Sequence, residues 1–169
     1  NTKYHESNAV ISADGKRMYF DRNDYFEGDY DKSASGINQI NLYYAENIDG
    51  KGWSGVVSAP FNNNEYSTGH PALSQDGKTL YFVSDMPGGK GGSDIYMVAI
   101  NNDGSLGTPK RLGDNINTEG KELFPYLDSN GTLYFSSNGH MGIGGLDVFY
   151  AEAQGDGFDV VNNLGKGVN

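Results

Sequence analysis

The chain has 169 residues, with 22 acidic and 12 basic side chains, a formal net charge of −10 and no cysteine. These values exclude a disulfide scaffold, cysteine-ligated zinc or iron–sulfur centres and a cysteine nucleophile, and an acidic surface repels nucleic-acid phosphates. No apolar run approaches the roughly 18 residues of a membrane-spanning helix, so direct membrane insertion is not expected. The chain starts at Asn1 with no leader, which reads as a trimmed segment. Its 25 glycines, 12 tyrosines and 8 phenylalanines predict many short strands joined by tight turns.

The predicted elements form three successive copies of one pattern. The first copy, 1–62, opens with NTKYHE and continues through SADGKRMYF (12–20) to NLYYAE (41–46). An acidic insertion of about nine residues, within DYFEGDYDKSASG (24–36), separates those two segments. The second copy, 63–116, opens with NNEYST and carries SQDGKTLYF (74–82) and SDIYMVA (93–99). The third, 117–168, opens with NTEGKE and carries DSNGTLYF (128–135) and LDVFYAE (146–152). Each copy has a second turn, DGKGW (49–53), DGSLG (103–107) or DGF (156–158), and then a closing segment. Asn169 aligns with Asn117 and would begin a fourth copy.

The middle copy shows what a repeat is. Pro71-Ala-Leu73 is a short apolar segment with proline at its start, where a missing N–H costs least. Asp76 and Gly77 supply turn chemistry, as do Asp14 and Asn130 before glycine in the other copies. Thr79–Val83 and Ile95–Ile100 are apolar throughout, the signature of strands buried on both faces. Pro109–Leu112 is more polar and edge-like. Each repeat is thus expected to be a four-stranded antiparallel meander that needs a neighbour on each side. The expected fold is all-β: a β-propeller segment spanning 1–169, with three four-stranded blades. Propellers close with about four to eight blades, so further blades or self-association are expected to complete the ring.

Few residues suggest chemistry. The loops of Gly88, Gly89, Gly91 and Gly92 and of Gly139, Gly142, Gly144 and Gly145 precede strands, whereas a phosphate-cradling loop needs a following helix N-terminus. They are expected to give positive φ and a close approach of neighbouring blades. Asp94 and Asp147 follow these glycines and are expected to accept N–H groups of the loop. Glu6 and Glu122, with Thr68 between them in the repeat, are expected to bond within the inter-blade linker. Asp21, Asp24, Glu27, Asp29 and Asp31 are weak calcium candidates, but they lack EF-hand spacing; the default reading is a solvated acidic loop. Tyr25, Phe26 and Tyr30 in that insertion are candidate partner contacts. His5, His70 and His140 occupy non-equivalent positions without metal-ligand spacing. No G-x-S-x-G elbow occurs, and nothing singles out a carboxylate pair for glycoside hydrolysis. No catalytic residue and no resident cofactor are therefore predicted.

The run from Pro71 to Phe82 resembles the WD-repeat-like repeat of TolB-type propellers. The third copy, FSSNGHMGIGGLDVFYAE (135–152) followed by NNLGKGVN (162–169), is similar to propeller repeats of OmpA-family outer-membrane-associated proteins of Bacteroidetes-type bacteria. Gly144, Gly145 and Asp147, and Gly91, Gly92 and Asp94, match that pattern; the first copy has Asn41 in place of the aspartate. The resemblance implies a periplasmic or outer-membrane-associated protein, with type IX secretion components among its relatives. The resulting expectation is a non-enzymatic scaffold that presents loops to a protein partner. The alternative is a propeller that binds, or less readily cleaves, carbohydrate or peptidoglycan fragments.

Overall fold

A computed structural model describes residues 6–23, 25–26, 29–30 and 33–169. These residues contain no helix. Blade 1 comprises β1 (Glu6–Ile11), β2 (Arg17–Asn23), β5 (Ile40–Asn47) and β6 (Trp53–Ser58). The short β3 (Tyr25–Phe26) and β4 (Asp29–Tyr30) pair as a hairpin inside the insertion. Blade 2 comprises β7 (Thr68–Leu73), β8 (Thr79–Ser84), β9 (Asp94–Ala99) and β10 (Lys110–Arg111). Blade 3 comprises β11 (Glu122–Leu127), β12 (Leu133–Ser137), β13 (Asp147–Ala151) and β16 (Asn162–Asn163). A hairpin of β14 (Ala153–Gln154) and β15 (Gly157–Phe158) extends from blade 3. Every strand pairing is antiparallel, giving three four-stranded meanders.

The apolar strands bury alternate residues on opposite faces, as the two-residue period of a strand requires. Leu80, Phe82, Tyr96 and Val98 pack with Tyr19 and Leu42 between blades 1 and 2. Tyr81, Val83 and Ile95 point the other way and pack with Leu133, Phe135 and Phe149 of blade 3. Phe82 is fully buried, a contribution of about 2–3 kcal/mol by area. Its ring stacks on Phe61 at 4.7 Å and on Tyr96 at 5.7 Å.

The turns show how similar sequences reach one geometry. Ser12 and Ser74 donate to Asp14 and Asp76 at 2.7 and 2.6 Å, and each carboxylate also accepts the amide two residues on. Gly15 and Gly77 follow with φ of +70° and +67°. In the third copy Asn130 does not play the aspartate's part. Asp128, at the serine position, accepts the amides of Asn130 and Thr132 instead.

Pro71 also departs from expectation. It lies inside β7, within a bulge between Gly69 and Ala72, not at the strand's start. Pro125 sits in a matching bulge between Leu123 and Tyr126. A bulge tolerates proline because the ladder is already interrupted there.

Asparagines close each blade. Asn117 is fully buried, accepts the Ile95 amide at 2.7 Å and donates to the Ile95 and Leu112 carbonyls. Asn169 treats Val148 in the same way, at 2.6 and 3.1 Å. In the first copy the clamp is Asn62 on Leu42, one residue before the Asn63 that the sequence repeat aligns.

Candidate functional site

The first strands of the three blades, β1, β7 and β11, lie side by side. Their repeat-equivalent segments are ESNAVI, TGHPAL and ELFPYL, so Asn8, His70 and Phe124 share one position. His70 and Phe124 both have left-handed backbones, with φ of +50° and +53°. Both precede proline, which disfavours the right-handed helical region for the residue before it. Such strain costs on the order of 1–3 kcal/mol per residue and clusters at functional sites.

The two rings stack 4.1 Å apart and nearly parallel, at 17°. The Phe124 amide donates to His70 Nδ1 at 3.3 Å, so Nδ1 carries no proton in this arrangement. The His70 amide in turn donates to Asp21 Oδ2 at 2.7 Å. One chain of contacts thus links all three blades. Asp21 is fully buried, and its counterparts in the other blades are Val83 and Ser136. Burial raises the Asp21 carboxyl above its ordinary value of 3.8, against the lowering effect of the His70 amide. Burial lowers His70 from 6.5, and the Asp21 charge works in the opposite direction.

A cleft of about 340 Å³ opens beside this stack. Its apolar lining includes Ile40, Val83 and Leu123, and Ser67, His70, Asp85 and Lys121 supply polar groups. Asp85 is anchored by the Ser67 amide at 2.6 Å, and Ser67 Oγ donates to Gln39 at 2.7 Å. Phe124 is half exposed, leaving aromatic surface for a ligand. Sequence reasoning missed this pair. Its available signal was the aromatic residue before proline in two copies.

The residues singled out from the sequence fall elsewhere. Asp94 accepts the amides of Lys90 and Gly91 at 2.7 and 3.3 Å. Asp147 accepts those of Ile143 and Gly144. Glu122 is buried and holds Thr118 and Ser137 through its two oxygens. The glycine loops correct one expectation: among Gly91, Gly92, Gly144 and Gly145 none has positive φ, and Gly88 is the loop residue that does. Gly91 is instead needed for space, since a Cβ there would meet the backbone oxygens of Thr118 and Gly120. A Cβ on Gly145 would meet nothing within 4 Å.

Asp21 is fully buried at the blade 1–blade 2 contact, where it accepts the His70 amide. Among the remaining calcium candidates, Asp24, Glu27 and Asp31 lie outside the described residues. Asp29, Tyr25, Phe26 and Tyr30 are placed as backbone in the β3–β4 hairpin. Among the described residues no three His, Cys, Asp or Glu side chains form a metal-binding group.

No protein-family model matches the chain, and no curated protein matches it in sequence. Solved structures do. A puromycin-hydrolyzing peptidase of Mycobacterium tuberculosis aligns with a TM-score of 0.58 and 17% identity, over 88% of this chain and 21% of that one. Prolyl oligopeptidase B from Galerina marginata aligns at 0.53 and 13%, over 95% and 21%. An alpha-L-arabinofuranosidase from Lactobacillus brevis aligns at 0.50 and 19%, over 89% and 51%. The chain therefore spans about a fifth of the two peptidases and about half of the glycosidase. These likenesses overturn the expectation of a non-enzyme: the structures that share the fold are enzymes, so a sequence without a legible catalytic constellation gives no ground for excluding activity. The three sheets are blades of a β-propeller.

Proposed function

We propose that the His70–Phe124 lip binds a carbohydrate within a propeller. The observation that carries this reading is the stacked ring pair in left-handed backbone, of which His70 lines a polar-rimmed cleft and Phe124 offers a half-exposed ring against it. A sugar presents a C–H face to an aromatic ring and hydroxyls to groups such as Ser67, Asp85 and Lys121. The fold likeness to an arabinofuranosidase supports a ligand of the glycan class. The resemblance of 135–152 to outer-membrane-associated propellers favours envelope glycans as its source.

A second reading, recognition of a protein partner in the periplasm, rests on a different surface. Met141, Ile143 and Leu146 are 96%, 56% and 52% exposed on one loop. Apolar exposure of that kind marks interaction sites.

The test is a panel of soluble oligosaccharides and aryl glycosides, including an aryl α-L-arabinofuranoside, with binding read by calorimetry and turnover by aryl release. Saturable binding that Phe124→Ala weakens at least tenfold supports the carbohydrate reading. No binding across the panel, or binding indifferent to Phe124→Ala, overturns it.

A further inference from the structure

The side chains lining the cleft beside the His70–Phe124 lip divide unequally into donors and acceptors. Its serines have already given up their protons. Ser67 Oγ donates to Gln39 at 2.7 Å, Ser84 Oγ to the Ser67 carbonyl at 2.6 Å, and Ser93 Oγ to the Glu122 carbonyl at 3.4 Å. Toward a ligand they can therefore only accept. Asp85 spends Oδ1 on the Ser67 amide, and its carboxylate keeps further lone pairs.

Two side-chain donors remain. His70 Nδ1 takes the Phe124 amide, so the ring proton sits on Nε2, and Nε2 has no partner among the described residues while staying open to solvent. The other donor is the Lys121 ammonium, which enters none of the ion pairs among the described residues. The base of Lys121 is pinned: its amide donates to Asn138 Oδ1 at 2.7 Å and its carbonyl accepts the Asn138 amide at 3.3 Å. Its stem lies along Gly92, where an added Cβ would meet Cγ and Cε at 3.2 and 3.4 Å. In a chain of net charge −10, a cation fixed at its base and unpaired at its tip marks the place where an anion is accepted.

Resting on the carbohydrate reading of the lip, we propose that the sugar bound there is an acidic one, its carboxylate taken by the Lys121 ammonium and the His70 Nε2–H. A carboxylate offers two oxygens with lone pairs enough for both donors at once. Charge-assisted bonds of this kind are stronger than those to a neutral hydroxyl. The hydroxyls of the same sugar donate to Asp85 and to the serine oxygens, and its C–H face lies on Phe124. A neutral sugar would satisfy those acceptors and leave the Lys121 charge without a counter-ion.

The experiment is calorimetric titration of the 169-residue chain with matched pairs of sugars. The pairs are the methyl glycosides of glucuronic acid and glucose, and those of galacturonic acid and galactose. The acid of a pair is expected to bind about tenfold more tightly than its neutral partner, and to lose that margin as added salt screens the charge. Lys121→Met keeps the stem on Gly92 and removes the charge, so it is expected to erase the difference within the pair at an unchanged melting temperature. Equal binding of acid and neutral sugar, both weakened by Phe124→Ala, overturns the acidic-sugar proposal and leaves carbohydrate binding standing. A preference for the acid that survives Lys121→Met does the same. Binding of neither member of any pair overturns both.

Discussion

The Phe124 amide points at His70 Nδ1 from 3.3 Å while the two rings stack at 4.1 Å. Protonating His70 removes the acceptor and places a cation in a half-buried stack. The folded-state value of His70 lies below 6.5, so the unfolded chain takes up the proton first as pH falls. Stability is therefore lost as pH drops from 6.5 through the lowered value. Asp21 works in the opposite sense: its folded value is raised, so its contribution is lost as pH climbs from 3.8 through that raised value. His70→Asn is expected to abolish the first loss, and Asp21→Asn the second. Urea midpoints measured from about pH 4 to about pH 8 check both.

Phe82 and Phe124 should part company on truncation. Phe82 is fully buried between stacked rings, and Phe82→Ala is expected to cost about 3–5 kcal/mol through the cavity it leaves. Phe124 is half exposed, and its alanine variant is expected to cost about 1 kcal/mol while weakening ligand binding. Chemical denaturation of the two variants in parallel makes the comparison.

Gly91 and Gly145 supply a matched pair. Gly91→Ala drives a methyl into two backbone oxygens and is expected to destabilise by about 2–3 kcal/mol. Gly145→Ala meets open space and is expected to stay within about 0.5 kcal/mol at high dilution. Thermal melts at fixed low concentration read the difference.

Asn117→Ala strips three hydrogen bonds from a fully buried site and leaves the Ile95 amide without its acceptor. The expected cost is about 2–4 kcal/mol. Hydrogen exchange at Ile95 and at its neighbours in β9 should accelerate in step with that loss.

The blades were legible in the sequence because both central strands of each repeat are apolar without alternation, as Thr79–Val83 and Ile95–Ile100 show, and because turns such as Asp76-Gly77 have few geometric solutions. Asp94 and Asp147 act through bonds only three or four residues long, so local spacing sufficed to find them. The lip was hidden for the opposite reason. Asp21, His70 and Phe124 meet across separations of 49 and 54 residues. Their meeting depends on bulges at prolines that composition alone places at a strand's start. Asn62 illustrates a smaller loss: a one-residue shift in a linker moved the clamp off the aligned position.

The asparagine clamps carry a consequence for how the chain is made. Asn117 belongs to the segment leading into blade 3, yet the backbone it satisfies, at Ile95 and Leu112, is blade 2's. A nascent polypeptide that stops after β10 would hold β9 with bare amide and carbonyl groups until the ribosome released a few residues more. Blade 2 is thus sealed by the first residue of the third copy, and synthesis from the N-terminus imposes an order of assembly in which blade 2 is not finished before blade 3 has begun.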